Sequence, residues 1–252
     1  MQNKYVGDLG DYGKYALVKK IASTEYKVGV NWYLMDDEEN NDGKHIRYLC
    51  KKQYRECDPI IFDYLRDIVF ENKRSVESVE VGGILGDNVS FYSQPIIIPK
   101  NVRVTEKRAF RKKWHERAFE KLRDCDIVFL DPDNGLEVKS VSPYSAAKKN
   151  GGKYVAISEL AEYYNSGKSV IVYNHRDRSK KQDYYSKFLK ICEEENICIR
   201  NVFIMNYKRG TSRDYIFFAQ EKHRENLMDA CKELVKTNWK KHFELICLSS
   251  IN

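Results

Sequence analysis

Two apolar runs near the end of the chain, 200–206 and 214–220, are separated only by "YKRGTSR". So short a connection has no room for a crossover helix, so the runs must pair as an antiparallel hairpin. Upstream the pattern is different. Strand-like stretches at 28–34, 127–131 and 169–173 alternate with helix-like stretches at 11–23, 58–72, 105–123 and 180–195. A further helix at 222–236 and a strand at 243–248 close the chain. Alternation predicts a mostly parallel sheet with helices on both faces, and the closing hairpin adds antiparallel strands. The expected fold is α/β and Rossmann-like. No repeat, low-complexity tract or Pro/Ser-rich linker breaks the 252 residues, so they read as a single domain, 1–252.

In the helix at 58–72, Ile60, Ile61, Tyr64, Leu65, Ile68 and Val69 share one face. In the helix at 105–123, Phe110, Trp114, Ala118 and Leu122 recur every fourth position and form the expected buried stripe. No run of apolar residues is long enough to span a bilayer. The N-terminal "MQNKYVGDLGDYGKY" has no apolar signal core, so a cytoplasmic protein is expected. Seven scattered cysteines form no CxxC pair, and most read as buried thiols.

Net charge is +7. Residues 100–123 hold ten basic side chains, from Lys100 to Arg123, against Glu106, Glu116 and Glu120. Such a helix is either a solvated face or a phosphate-binding surface, with Arg111, Lys112 and Lys113 as candidate nucleic-acid contacts. Tyr144, Tyr154, Tyr163 and Tyr164 are either core-edge residues or base-stacking platforms.

The stretch "DIVFLDPDNGLEV" is the most informative. Ile127–Leu130 reads as a buried strand, and it stops on Asp131, Pro132, Asp133 and Asn134. In open α/β sheets ligands bind beyond the carboxyl ends of the strands, where these residues fall. A second polar group, "NHRDR", follows the strand at 169–173 and offers His175 as a base or ligand. The bland alternatives are a turn with Asn134-Gly135 supplying positive φ, a surface loop capped by Asp177 or Ser179, and Glu159 as a helix-surface acid.

"VFLDPDN" resembles the D-P-P-Y motif of class I S-adenosylmethionine-dependent methyltransferases that act on amino groups of adenine. Asp131 and Pro132 match its first two places, while Asp133 and Asn134 replace the second proline and the aromatic residue. "GDLGDYGKY" resembles the G-N-x-x-D-x-x-K-H opening of the bacterial rRNA adenine-N6 methyltransferases, with Gly7, Asp11 and Lys14 in place and Asp8 where Asn is expected. The terminal hairpin is similar to that family's R-G-x-x-x-S-G hairpin at Arg209-Gly210. The resemblance implies methyl transfer from S-adenosylmethionine to an amino group of a nucleic acid, DNA or RNA. Asp131 accepts from the amine, while Pro132, Asp133, Asn134 and His175 complete the catalytic edge. Gly7, Asp8, Asp11 and Lys14 hold the cofactor, with Gly7 and Gly10 letting the backbone approach closely and Asp36 or Asp37 near its amino group. Read without the resemblance, Asp8 or Asp11 is simply a helix N-cap.

One departure stands out. After the first strand the chain runs into "MDDEENNDGKHIRY", with Gly43 as its one glycine, where the family has a glycine-rich loop. That leaves two rivals. Asp131, Asp133, Glu137 and His175 could bind Mg²⁺ or Mn²⁺ in a nuclease or phosphoesterase, or the scaffold could be an inactive nucleic-acid or partner-binding subunit.

Overall fold

The computed structural model describes residues 1–97, 99, 102–138, 151–177 and 179–248; Lys100, Tyr144 and Arg178 lie outside them. Among the described residues, the main sheet has seven strands in the order β2-β1-β3-β6-β8-β7-β9. These are β1 (Val28–Asn31), β2 (Val89–Tyr92), β3 (Ile127–Leu130), β6 (Ser169–His175), β7 (Val202–Tyr207), β8 (Arg213–Phe218) and β9 (Phe243–Cys247). β2, β1, β3 and β6 run parallel, while β8 is antiparallel to both β6 and β7. A separate parallel pair joins β4 (Gly135–Leu136) to β5 (Tyr154–Val155). The α/β expectation and the closing hairpin therefore hold.

Side chains that alternate along β3 feed two cores. Ile127 and Phe129 join one cluster with Leu17, Leu65, Val79 and Leu227, from α1 (Leu9–Ala22), α3 (Pro59–Phe70), α4 (Val76–Val81) and α8 (Glu221–Leu234). Val128 and Leu130 join the other with Trp114, Leu160 and Phe188, from α5 (Val104–Lys121), α6 (Ile157–Asn165) and α7 (Lys181–Glu194). A one-turn helix, α2 (Lys52–Arg55), precedes α3.

Helix starts follow the local chemistry. The Asp8 side chain accepts from the Gly10 amide, Asp58 from Ile61 and Ser75 from Ser78, each satisfying an otherwise orphaned donor. Pro59 occupies the first turn of α3, where its missing N–H costs nothing. No described helix is long and apolar enough to cross a membrane.

The topology also fixes where a site belongs. From β1 the chain passes over the first face to β2 at the sheet edge, then returns over the second face to β3. The carboxyl ends of β1 and β3 are thus a switch point, where crossovers diverge and leave a crevice.

Candidate active site

A cleft of about 390 Å³ opens at that switch point, within the usual size range for a small-molecule site. Asp8, Asp11 and Lys14 come to it from α1, Asp131–Asn134 from the end of β3, Tyr173 and His175 from β6, and Arg213 from the start of β8. The three groups singled out in the sequence therefore meet around one cavity.

Lys14 sits at its base. It is 2% exposed, 2.8 Å from Asp11 and 2.7 Å from Asp131. Burial disfavours its charge, yet these two carboxylates hold its pKa above the ordinary lysine value. Asp131 is as buried. Burial pushes its carboxyl up to about 6, against the pull of Lys14 and the N-terminal ammonium. A carboxylate in that range is a stronger base at neutral pH than an exposed aspartate.

The loop after β3 is stapled on both sides. The Asn134 amide donates to Lys153 O at 3.0 Å, and the His175 amide donates to Asn134 O at 2.9 Å. Leu136 N donates to the Asn174 side chain at 2.9 Å. Gly135 has φ +133°, and a Cβ there would lie 2.0 Å from Asn174 Oδ1, so only glycine fits. The strand ends in acids because the chain must leave the sheet, turn at Gly135 and still present Asp131 and Asp133 to the cleft.

Asp133 pairs with the Met1 ammonium at 2.7 Å and accepts from Gln2 at 2.5 Å. The same ammonium donates to the backbone carbonyls of Asp131 at 3.2 Å and Tyr33 at 3.0 Å. Burial opposes the Asp133 charge, but the ammonium keeps its pKa below the usual value.

On the opposite wall Arg213 Nε donates to Tyr173 Oη at 3.0 Å, and Tyr173 Oη lies 2.9 Å from His175 Nε2. The hydroxyl thus accepts from Arg213 and shares a second hydrogen bond with the imidazole, whose donor follows the His175 tautomer. Burial, with Arg213 nearby, lowers His175 to about 4.

Several expectations need correcting. Gly7 does not line the cleft; its φ of +82° turns the chain into α1, and its carbonyl accepts from Tyr48 Oη. Gly10 makes room for a side chain, not a cofactor: a Cβ there would lie 2.4 Å from the Arg213 guanidinium. Asp8 is both the N-cap of α1 and a cleft residue. Asp36 and Asp37 are exposed outside the cleft, with Asp37 accepting from the Lys4 amide, and the loop offers Asp42 and His45 in their place.

The basic helix is corrected most. Arg111 is 0% exposed and cannot touch a phosphate backbone. Its Nε and Nη2 donate to Glu159 at 2.7 and 2.8 Å, and its guanidinium packs over Tyr33 and Trp114. Glu159 is accordingly a buried acid, not a surface one. Phe110 is displaced from the stripe and is 44% exposed, while Lys112 and Lys113 do face solvent. Ile60 likewise points outward from α3.

The proposed metal ligands are engaged elsewhere. Asp131 and Asp133 each face an ammonium group, and Glu137 accepts from Ile157 N at 3.0 Å. Among the described residues no group of three His, Cys, Asp or Glu side chains is placed to hold a metal ion.

Arg213, Tyr173 and Lys153 line the cleft but were not singled out from the sequence. For Arg213 a signal existed. An antiparallel strand begins where its parallel neighbours end, so the first residue of β8 had to fall at the ligand-binding edge, opposite His175.

No protein-family model matches the chain, and no curated protein matches it.

Proposed function

We propose that this protein transfers a methyl group from S-adenosylmethionine to an amino nitrogen of a nucleic acid, in the cytoplasm. One observation carries the reading: the acids after β3, the Asp8, Asp11 and Lys14 segment and His175 line one cleft at the carboxyl edge of the sheet. In the resembled family the acid at the place of Asp131 and a backbone carbonyl accept from the exocyclic amine of a base.

The residues present suit the charged end of the cofactor, which joins a carboxylate and an ammonium beside a sulfonium. Lys14 and Arg213 offer cations, and Asp8 and Asp11 offer acids, around the cleft. The segment after β1 is closed, with Trp32 stacked on Phe91 and donating to Glu80, so the glycine-rich contact of the resembled family has no counterpart there. When bound, the cofactor supplies an electrophilic methyl group. Asp131 accepts from the target amine and takes up its proton as the new bond forms, a role suited to a carboxyl raised to about 6. Pro132 stiffens the exit from β3, Asn134 shapes the wall, and neutral His175 holds the Tyr173–Arg213 pair in place.

The test is calorimetry with S-adenosylmethionine and its demethylated product, followed by transfer of labelled methyl to DNA and to RNA. Asp131→Asn, which keeps an acceptor beside Lys14, should abolish transfer and leave cofactor affinity nearly unchanged; equal loss of both would refute the role given to Asp131. Salt-sensitive nucleic-acid binding with no cofactor affinity would favour the non-enzymatic subunit.

A further inference from the structure

A second pocket, of about 380 Å³, adjoins the first, and His45 belongs to the walls of both. Leu9, beside the cleft residue Asp8, completes the junction. Its chemistry differs. Lys44, His45, Arg47 and Lys51 line it with no acidic side chain among them, and the buried rings of Tyr48 and Tyr54 form its floor. The four basic groups are exposed. Lys44 reaches only the neutral Asn41 side chain, at 2.7 Å, and neither Arg47 nor Lys51 makes an ion pair among the described residues. Two neighbouring cations are matched, in contrast: Lys19 pairs with Asp58 and Arg55 with Asp63. Beyond Tyr54 the same surface continues to His242, whose ring lies 5.2 Å away and accepts from Arg209.

We propose that this second pocket seats a backbone phosphate of a single-stranded nucleic acid whose base enters the cleft, with Arg47 and Lys51 as its principal contacts. Unmatched cations without acids are what a polyanion recognises, and a strand can thread two cavities that share a wall. The inference rests on the nucleic-acid part of the proposed function and moves the phosphate contacts from α5 to the rim of the cleft.

Fluorescence anisotropy of a labelled single-stranded oligonucleotide, across a salt gradient and without cofactor, tests it. Arg47→Ala/Lys51→Ala should weaken binding at least tenfold. It should also reduce the log–log salt slope by about 0.7, the contribution of one phosphate contact on a single strand. Lys112→Ala/Lys113→Ala should leave both values unchanged. All four side chains are exposed, so unchanged melting temperatures will show that the variants fold. An unaltered slope in the Arg47/Lys51 variant, or the loss appearing in the α5 variant, would overturn the proposal. So would inorganic phosphate binding in a way that depends on Arg47 and Lys51 while oligonucleotide binding does not, which would make this a small-anion site. Cofactor calorimetry and the labelled-methyl assay report separately on methyl transfer, so failure of either reading leaves the other's result interpretable.

Discussion

Arg111→Met strips the guanidinium from a buried pair while keeping an unbranched chain in the helix. In the native protein that group makes two bonds to Glu159 and a third to Tyr154 O at 2.9 Å. Glu159 is 1% exposed, so without Arg111 its charge has no route to water. It would keep the Tyr33 hydroxyl at 3.0 Å and the Ala156 amide at 3.2 Å, both neutral donors. Removing one partner of a buried pair costs about 3–5 kcal/mol, because the other charge is left uncompensated. For a chain of this size that is roughly 6–20 °C in Tm. A surface arginine would cost no more than about 0.5 kcal/mol, so the two placements differ by several-fold. Urea unfolding with a constant slope would read the difference directly. Glu159→Gln on top of Arg111→Met removes the stranded charge, so the double variant should lose less than the two single losses added together. If Arg111→Met shifts stability by under about 1 kcal/mol, the buried placement, and with it the correction to the basic helix, is wrong.

Further predictions follow from the cleft. His175 should titrate near 4 in an NMR experiment instead of near its ordinary 6.5; a midpoint near 6.5 would mean that the ring is solvated. Because the folded pKa is depressed, the neutral ring's advantage is complete above pH 6.5 and is lost as pH falls towards 4, about 3 kcal/mol in all. Asp131 has the opposite sign: its carboxyl is raised from 3.8 to about 6, so the folded state gains on acidification across that window. The two nearly offset, and Asp131→Asn should therefore lose Tm on acidification from pH 7 to 4 more steeply than wild type; parallel pH profiles would refute the pairing of signs. Gly135→Ala should cost at least about 1–3 kcal/mol from its positive φ alone, with more from the Asn174 clash, and a wild-type Tm would show that the loop relaxes freely.

The hairpin was legible because a short connection leaves the backbone only one way to pair. The acids after β3 were legible because a polar cluster closing an apolar strand is rare without a use. Arg111 was not, because its partner is 48 positions away and the four-residue spacing put Phe110 on the buried face in its place, although Trp114, Ala118 and Leu122 are buried as that spacing implies. Gly10 was misread for a similar reason: the group that needs its space arrives from Arg213, near the far end of the sequence. β2 escaped notice as a four-residue strand at the sheet edge whose side chains alternate only weakly in burial. Local chemistry announces caps and turns, whereas contacts between distant segments leave no local trace.

The packing of Arg213 against the first turn of α1 also has a consequence for synthesis. A chain emerging from the ribosome has its Asp8, Asp11 and Lys14 early, yet the wall that faces them arrives only with β8. Until then three charged side chains have no enclosed space to share, and nascent or C-terminally truncated chains should have no ligand affinity. Binding capacity should therefore appear abruptly, as the hairpin zips onto β6, instead of growing with chain length.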